Sequence, residues 1–356
     1  MTLDDIIPPG TQPEVLGQGY GFTEGPTADR DGNVFFSDGQ NNSIHRWQPG
    51  DCPDFRGHRG EAVVGENGTV PLGPRPAVTL FTDDSTDAIG MMFNAAGELY
   101  VCEGAAQRIV AYEVPGGSPD SSAIGVPQGR GGFDAMREPS CGFAAPIGKL
   151  SGPPGTVPFR RPRKRILCSE IDGQHFNEPN DLAIDFHGGF YFSDPNYQHR
   201  GQPTVMKQDV YYCSADGRVS RVSTVCFKPN GVRLSADDRT LYVADARGQR
   251  IYRYDVTGPG QLANERIWID RLAANPDGLT LDEHDNLYIC CGKNGLKIYD
   301  RAAQFIGRID VHAANCVFAA PDFRTLCIAS ADKFLGIRAN VIGMKPLALR
   351  VPTNRA

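Results

Sequence analysis

GPTADRDGNVFFSD at residues 25–38 decides the fold once it is set beside five later stretches. These are GMMFNAAGELYVCE (90–103), DLAIDFHGGFYFSD (181–194), GVRLSADDRTLYVAD (231–245), GLTLDEHDNLYICC (278–291) and CVFAAPDFRTLCIAS (316–330). Each joins a short apolar run to a polar turn carrying Gly or Asp, then to an alternating apolar strand that ends in a small or acidic residue. A period of two on both sides of such a turn is the pattern of a β-hairpin. Two further strand candidates follow most copies, as in RIVAYEV (108–114) then RILCSEI (165–171), or RIYRYDV (250–256) then ERIWIDRL (265–272). Four strands per copy and six copies describe an all-β chain folded as a six-bladed β-propeller.

Two long Gly/Pro-rich insertions, about 49–76 in blade 1 and 115–164 in blade 2, separate third from fourth strands and are expected to be irregular. The strand-like EVLGQGYGF (14–22) precedes the first hairpin, so it is expected to supply the outer strand of the last blade and close the ring. Residues 1–356 are then expected to form a single propeller domain.

Composition narrows the function classes. Apolar residues make up 40% of the 356, and the 41 Gly bring the share to about half, close to the usual value for a globular protein. Thirty-six basic against 42 acidic residues leave a net charge of −6, the wrong sign for a nucleic-acid binder. The basic run RRPRKR (160–165) lacks aromatic interleaving and reads as a solvated loop edge. The opening MTLDDIIPPG has neither a basic nor an apolar leader region, and no long apolar run follows, so a cytoplasmic protein without a membrane partner is expected. The ten Cys form no CxxC pair and mostly sit in apolar strands, which points to buried reduced thiols. Cys52 and Cys141, in the insertions, are left open, as is the choice between monomer and homodimer.

The innermost strand of each blade begins at the residue just before its repeat, and six such strands converge on one mouth of the central tunnel. Those residues are Glu24, Ile89, Asn180, Asn230, Asp277 and Asn315. Any one Asn-Gly or Asp-Gly pair among them reads as a turn, but five oxygen donors at one structural position call for another explanation. Carboxylates and amide carbonyls converging from different strands form a hard oxygen cage suited to Ca²⁺ or Mg²⁺ rather than to a thiolate or imidazole site. The seven His show no metal-binding spacing, with His175 and His199 alone near the expected mouth. The loops GQHFNEP (173–179) and DPNYQHRGQPTVMKQ (194–208) border that mouth, which makes His175, Tyr197, His199 and Arg200 candidate substrate contacts.

The segments FTEGPTADRDGNVFFSD, HFNEPNDLAIDFHGGFYFSDP, KPNGVRLSADDRTLYVAD, NPDGLTLDEHDNLYI and AANCVFAAPDFRTLCIAS resemble the SMP-30/gluconolactonase/luciferin-regenerating-enzyme-like family, and its bacterial gluconolactonase branch in particular. The resemblance runs through residues 20–330 apart from the insertions. It implies one divalent cation held at Glu24, Asn180, Asn230 and Asp277, with Ca²⁺ as the first expectation and Mg²⁺, Mn²⁺ or Zn²⁺ as alternatives. It implies hydrolysis of a sugar lactone or related small ester, with Asp277 as base and Asn180 and Asn315 toward the substrate. The chain departs from the branch at Ile89, where Asn is usual, and a less hydroxylated lactone is therefore expected. Two competing classes are a calcium- or ligand-binding propeller without turnover and a strictosidine-synthase-like propeller without the cation.

Overall fold

A computed structural model of the chain describes residues 1–50, 77–115, 161–197 and 207–350. Six four-stranded antiparallel sheets stand around one axis. Blade 1 runs outward as Thr23–Ala28, Val34–Asp38, Ser43–Gln48 and Ala77–Thr82, and blade 2 as Ala88–Phe93, Leu99–Glu103, Arg108–Tyr112 and Lys164–Cys168. Blade 3 is Leu182–Ile184, Phe190–Ser193, Val210–Cys213 and Val219–Ser223; blade 4 is Pro229–Leu234, Thr240–Asp245, Arg250–Gly258 and Gln261–Ile269. Blade 5 is Leu279–Leu281, Leu287–Cys290, Leu296–Tyr299 and Phe305–Ile309. Blade 6 takes Asn315–Ala319, Thr325–Ser330 and Lys333–Arg338 from the end of the chain and Glu14–Gln18 from its start, paired Glu14 to Gly336 and Gln18 to Lys333.

Each innermost strand packs on that of the next blade, and blade 6 on blade 1, so the sheets form a closed ring. The core is correspondingly divided into six apolar clusters, one at each blade interface. Phe36 stacks on Phe334 at 4.2 Å between blades 1 and 6, Phe35 meets Phe93 edge-on at 5.1 Å between blades 1 and 2, and Tyr288 meets Phe318 edge-on at 5.2 Å between blades 5 and 6. Burying one such ring contributes about 2–3 kcal/mol, and the alternation read in the repeats is what turns one ring toward each neighbouring blade.

Three sequence expectations change in detail. The outer strand of blade 2 ends at Cys168 rather than 171, because Glu170–Ile171 pairs instead with Gln174–His175 in a separate two-stranded hairpin. Residues 174–175, expected in a loop, are therefore a strand. The N-terminal strand is five residues long, Glu14–Gln18, with a bulge between Val15 and Gly17. Most of both insertions, together with Cys52, Cys141, His199 and Arg200, lies outside the described residues. The eight described Cys are free and buried, and no helix among the described residues is long and apolar enough to cross a membrane.

Candidate functional site

The residues just before the repeats do gather at one mouth, and the glycines after them show why. A Cβ on Gly25 would lie 1.7 Å from the Ile89 carbonyl oxygen, one on Gly90 2.5 Å from that of Asn180, and one on Gly231 2.3 Å from that of Asp277. A Cβ on Gly278 would fall 2.1 Å from Cγ of Asn315. Neighbouring innermost strands thus run so close that four of the six mouth residues, Ile89, Asn180, Asp277 and Asn315, lean on the glycine of the blade before them, as in the bond from Gly90 N–H to the Asn180 carbonyl at 2.7 Å. Only Gly25 among the four has a left-handed backbone, with φ of 47°. The Asn-Gly and Asp-Gly pairs are therefore places of close backbone approach and not turns.

Glu24, Asn180, Asn230 and Asn315 are all buried at this mouth. The Glu24 carboxylate accepts the Gly25 N–H at 2.8 Å and a bond from the Asn315 amide, whose own carbonyl accepts Cys316 N–H at 2.8 Å. Burial, and next to it the Asp277 carboxylate, push Glu24 well above the usual carboxylate range. Burial pushes Asp277 up to about 7, against a hydrogen bond from Asn230 and with added repulsion from Asp181. The Asn230 amide nitrogen also donates to the Tyr197 hydroxyl at 2.8 Å, which leaves the Asn230 carbonyl oxygen as the donor atom facing a guest. Burial, then Asp277, push the Tyr197 phenol up, and Lys228 sits 4.2 Å above its ring.

This donor set fits a divalent cation. The buried Glu24 carboxylate lies beside half-buried Asp277 with only amide groups to offset their charges, an arrangement that is unfavourable unless a cation compensates it. Glu, Asn, Asn and Asp oxygens suit Ca²⁺ or Mg²⁺. No group of three or more His, Cys, Asp or Glu side chains among the described residues has metal-binding geometry, so the amide oxygens are needed to complete a cage.

The remaining candidates separate. Tyr197, 43% exposed, is joined to the mouth through Asn230, and its amide donates to Glu178 at 2.6 Å. Ile89 is partly exposed, its Cδ1 only 3.0 Å from where a Cβ on Gly104 would stand. His175 is exposed on the two-stranded hairpin, its Nδ1 3.3 Å from the Ser169 carbonyl. Sequence reasoning missed Asp181, a buried carboxylate standing where blades 1, 2, 4 and 5 have Gly. It accepts Leu182 N–H at 2.9 Å and Val232 N–H at 3.0 Å, and burial raises it to about 6. The signal was its place directly after Asn180 in the aligned repeats.

Comparison with known proteins agrees with this fold. The family described as "SMP-30/Gluconolactonase/LRE-like region" matches residues 22–332. A gluconolactonase of Zymomonas mobilis subsp. mobilis is 23% identical over 96% of this chain and 85% of its own. The solved structure of a Xanthomonas campestris gluconolactonase superposes with a TM-score of 0.68 at 19% identity, covering 95% of this chain and 92% of that one. That of regucalcin, a calcium-binding protein from Agrobacterium tumefaciens, gives 0.62 at 14% identity, covering 95% and 97%. With six blades, this mouth and a match along most of its length, the chain belongs to the SMP-30/gluconolactonase/luciferin-regenerating-enzyme-like family.

Proposed function

We propose that this protein is a divalent-cation-dependent hydrolase that opens a small lactone or related ester. The observation that carries the reading is the carboxylate pair of buried Glu24 and half-buried Asp277, bonded to Asn315 and Asn230 at one tunnel mouth. The relatives named gluconolactonase from Zymomonas mobilis and Xanthomonas campestris support the reaction class, and the calcium-binding regucalcin supports Ca²⁺.

Glu24, Asn180, Asn230 and Asp277 would hold the cation. When bound it supplies polarisation of the substrate carbonyl and stabilisation of the negative charge that develops on its oxygen. Asp277 accepts the proton of the attacking water as the new C–O bond forms at the carbonyl carbon. The ring C–O bond then breaks, the departing oxygen takes that proton, and the product is a hydroxy acid that releases one proton at neutral pH. Asn180 and Asn315 border the reacting centre, and Asn315 also fixes Glu24. Tyr197 and His175 stand as rim contacts. His199, assigned the same role, lies outside the described residues. At Ile89 the ring offers a ligand an aliphatic side chain, which favours a lactone with fewer hydroxyls than gluconolactone.

Proton release by chelated protein, before and after addition of Ca²⁺, Mg²⁺, Mn²⁺ or Zn²⁺, tests the reading, with Glu24→Gln and Asp277→Asn alongside. Activity restored by a cation and lost at least about 100-fold in both variants is the expected result. Tight cation binding with no turnover of any lactone or ester would leave a cation- or ligand-binding propeller instead.

A further inference from the structure

The loops that enter the innermost strands are held in two ways, and a carboxylate clamp occurs in three of the four blades that supply a donor. In blade 1 the Asp38 carboxylate, at the end of the second strand, accepts Gly21 N–H at 3.0 and 3.1 Å and Phe22 N–H at 3.2 Å. In blade 3 Asp194 accepts Asn177 N–H at 2.8 Å and Glu178 N–H at 2.9 Å. In blade 4 Asp245 accepts Phe227 N–H at 3.0 Å and Lys228 N–H at 2.9 Å. In all three the clamped amides lie three and two residues before the mouth residue, which is Glu24, Asn180 or Asn230. All three carboxylates are buried.

A clamp required by the propeller alone would recur in every blade. In blade 2 the same position is Glu103, and its longer side chain turns away to Arg108 Nε at 2.8 Å, Lys164 Nζ at 3.0 Å and the Tyr112 hydroxyl at 3.0 Å. Blade 2 is also the blade whose mouth residue is Ile89. Blades 5 and 6 have Cys291 and Ser330 at this position, without a carboxylate. Asp277 of blade 5 keeps the backbone bond to the second strand that Asn180 also makes, to the Cys290 carbonyl at 2.8 Å, and its carboxylate is bonded by Asn230.

We propose that Asp38, Asp194 and Asp245 are positioning residues that set how far Glu24, Asn180 and Asn230 reach into the mouth, and so tune cation affinity without touching the cation. The proposal rests on the cation reading above. Two backbone amides bonded to one carboxyl group fix the loop directionally, even where burial pushes that group up, as it does Asp194 to about 8, and a donor misplaced by about half an ångström no longer fits a cage. Groups that orient metal ligands typically change affinity by about 10- to 100-fold when altered.

The experiment is calorimetric titration of chelator-treated protein with Ca²⁺, with urea unfolding of the same samples in chelator. Asp194→Asn and Asp245→Asn are compared with Glu103→Gln, which removes one charge from the same place in a blade without a donor. Asp245→Glu keeps the charge but moves the clamp by a methylene. We expect Ca²⁺ affinity to fall at least about 10-fold in the two Asp→Asn variants and in Asp245→Glu, and to stay within about twofold of wild type in Glu103→Gln. The proposal is overturned if the clamp variants that fold keep wild-type affinity, or if Glu103→Gln loses as much as they do. Wild-type protein that binds none of Ca²⁺, Mg²⁺, Mn²⁺ or Zn²⁺ would instead overturn the cation reading itself, whatever the variants show.

Discussion

Blades 2 and 4 are the same piece of architecture put to different use. Both have four strands, both begin the innermost one with a residue followed by Gly, and both press that Gly against the carbonyl of the next blade's mouth residue, at 2.5 Å for a Cβ on Gly90 and 2.3 Å for one on Gly231. Blade 4 then presents Asn230, bonded to Asp277 and Tyr197, and holds its entry loop on Asp245. Blade 2 presents Ile89, and its buried Glu103 serves an ion-pair cluster with Arg108 and Lys164. Within this pair of blades the comparison separates what they share for packing, the glycine, from what only blade 4 brings to the site, the oxygen donor and its clamp.

The largest expected effects test the shared part. Gly90→Ala and Gly231→Ala each place a methyl group inside a neighbouring backbone, which cannot move without its own sheet, so each is expected to destabilise by about 3 kcal/mol or more in urea unfolding. Equal losses support a common ring constraint. A loss confined to Gly231→Ala would mean that blade 2 has relaxed its packing as well as its chemistry.

Next comes the part that differs. Asn230→Ile writes the blade 2 mouth into blade 4. Because Ile is already accommodated at that position in blade 2, the chelated protein is expected to keep its fold by circular dichroism. Ca²⁺ affinity is expected to fall at least about 100-fold, beyond the loss from altering a positioning group, and lactone turnover with it. Unchanged affinity would remove Asn230 from the donor set.

The far ends of the two blades differ too. The blade 4 turn carries Asp238, which accepts Phe186 N–H at 2.6 Å and pairs with Arg350 at 3.2 Å, where the blade 2 turn has only Ala96 and Gly97. Burial outweighs the Arg350 contact, and with Asp185 nearby Asp238 is pushed up to about 6. The folded state then binds more protons than the unfolded one between about pH 4 and 6, so stability is expected to fall as pH rises through that window and to level above it. Relative to wild type, Asp238→Asn should lack about 2 kcal/mol of that decline, read by urea unfolding at pH 4.5 and 7. A wild-type slope retained in the variant would place its origin in the other raised carboxylates.

How much of this was legible follows the range of the interaction. The six hairpins are written locally, in a period of two and a turn, and the structure has all six. The mouth residues were legible because each stands directly before its repeat. The glycines after them were visible, but their meaning was not: Gly231 resembles a turn residue until the strand of blade 5 is beside it. The acidic ends of the second strands could be seen at Asp38, Asp194 and Asp245, yet their partners lie 16 to 18 residues back, and no pattern in one sequence says which amides a carboxylate will find. Asp181 escaped for the opposite reason, as its position was aligned with glycines and drew no attention to its side chain. The hairpin at 170–175 needs only two paired residues per strand, too few for periodicity to register.

The smallest expected effect is the most informative about the substrate. Ile89→Asn gives blade 2 a polar mouth in a space that already holds a larger side chain, so stability should change little. If the substrate reaches this side of the mouth, the new amide can bond a ligand hydroxyl, and the ratio of kcat/KM for gluconolactone to that for an alkyl-substituted lactone should rise about fivefold, the worth of one modest hydrogen bond at about 1 kcal/mol. The gain is small because blade 2 lacks the Asp clamp: its entry loop is held instead by Asn42, whose side-chain oxygen accepts Asp87 N–H at 2.8 Å, and an Asn on that loop is not held as Asn230 is. Ile89→Asn combined with Glu103→Asp supplies both parts and should raise the ratio further, while Glu103→Asp alone, which sacrifices the contacts to Arg108 and Lys164, should lower stability without moving it. If the ratio stays fixed in both the single and the double variant, substrate does not meet blade 2, and the contrast with blade 4 concerns only the cation.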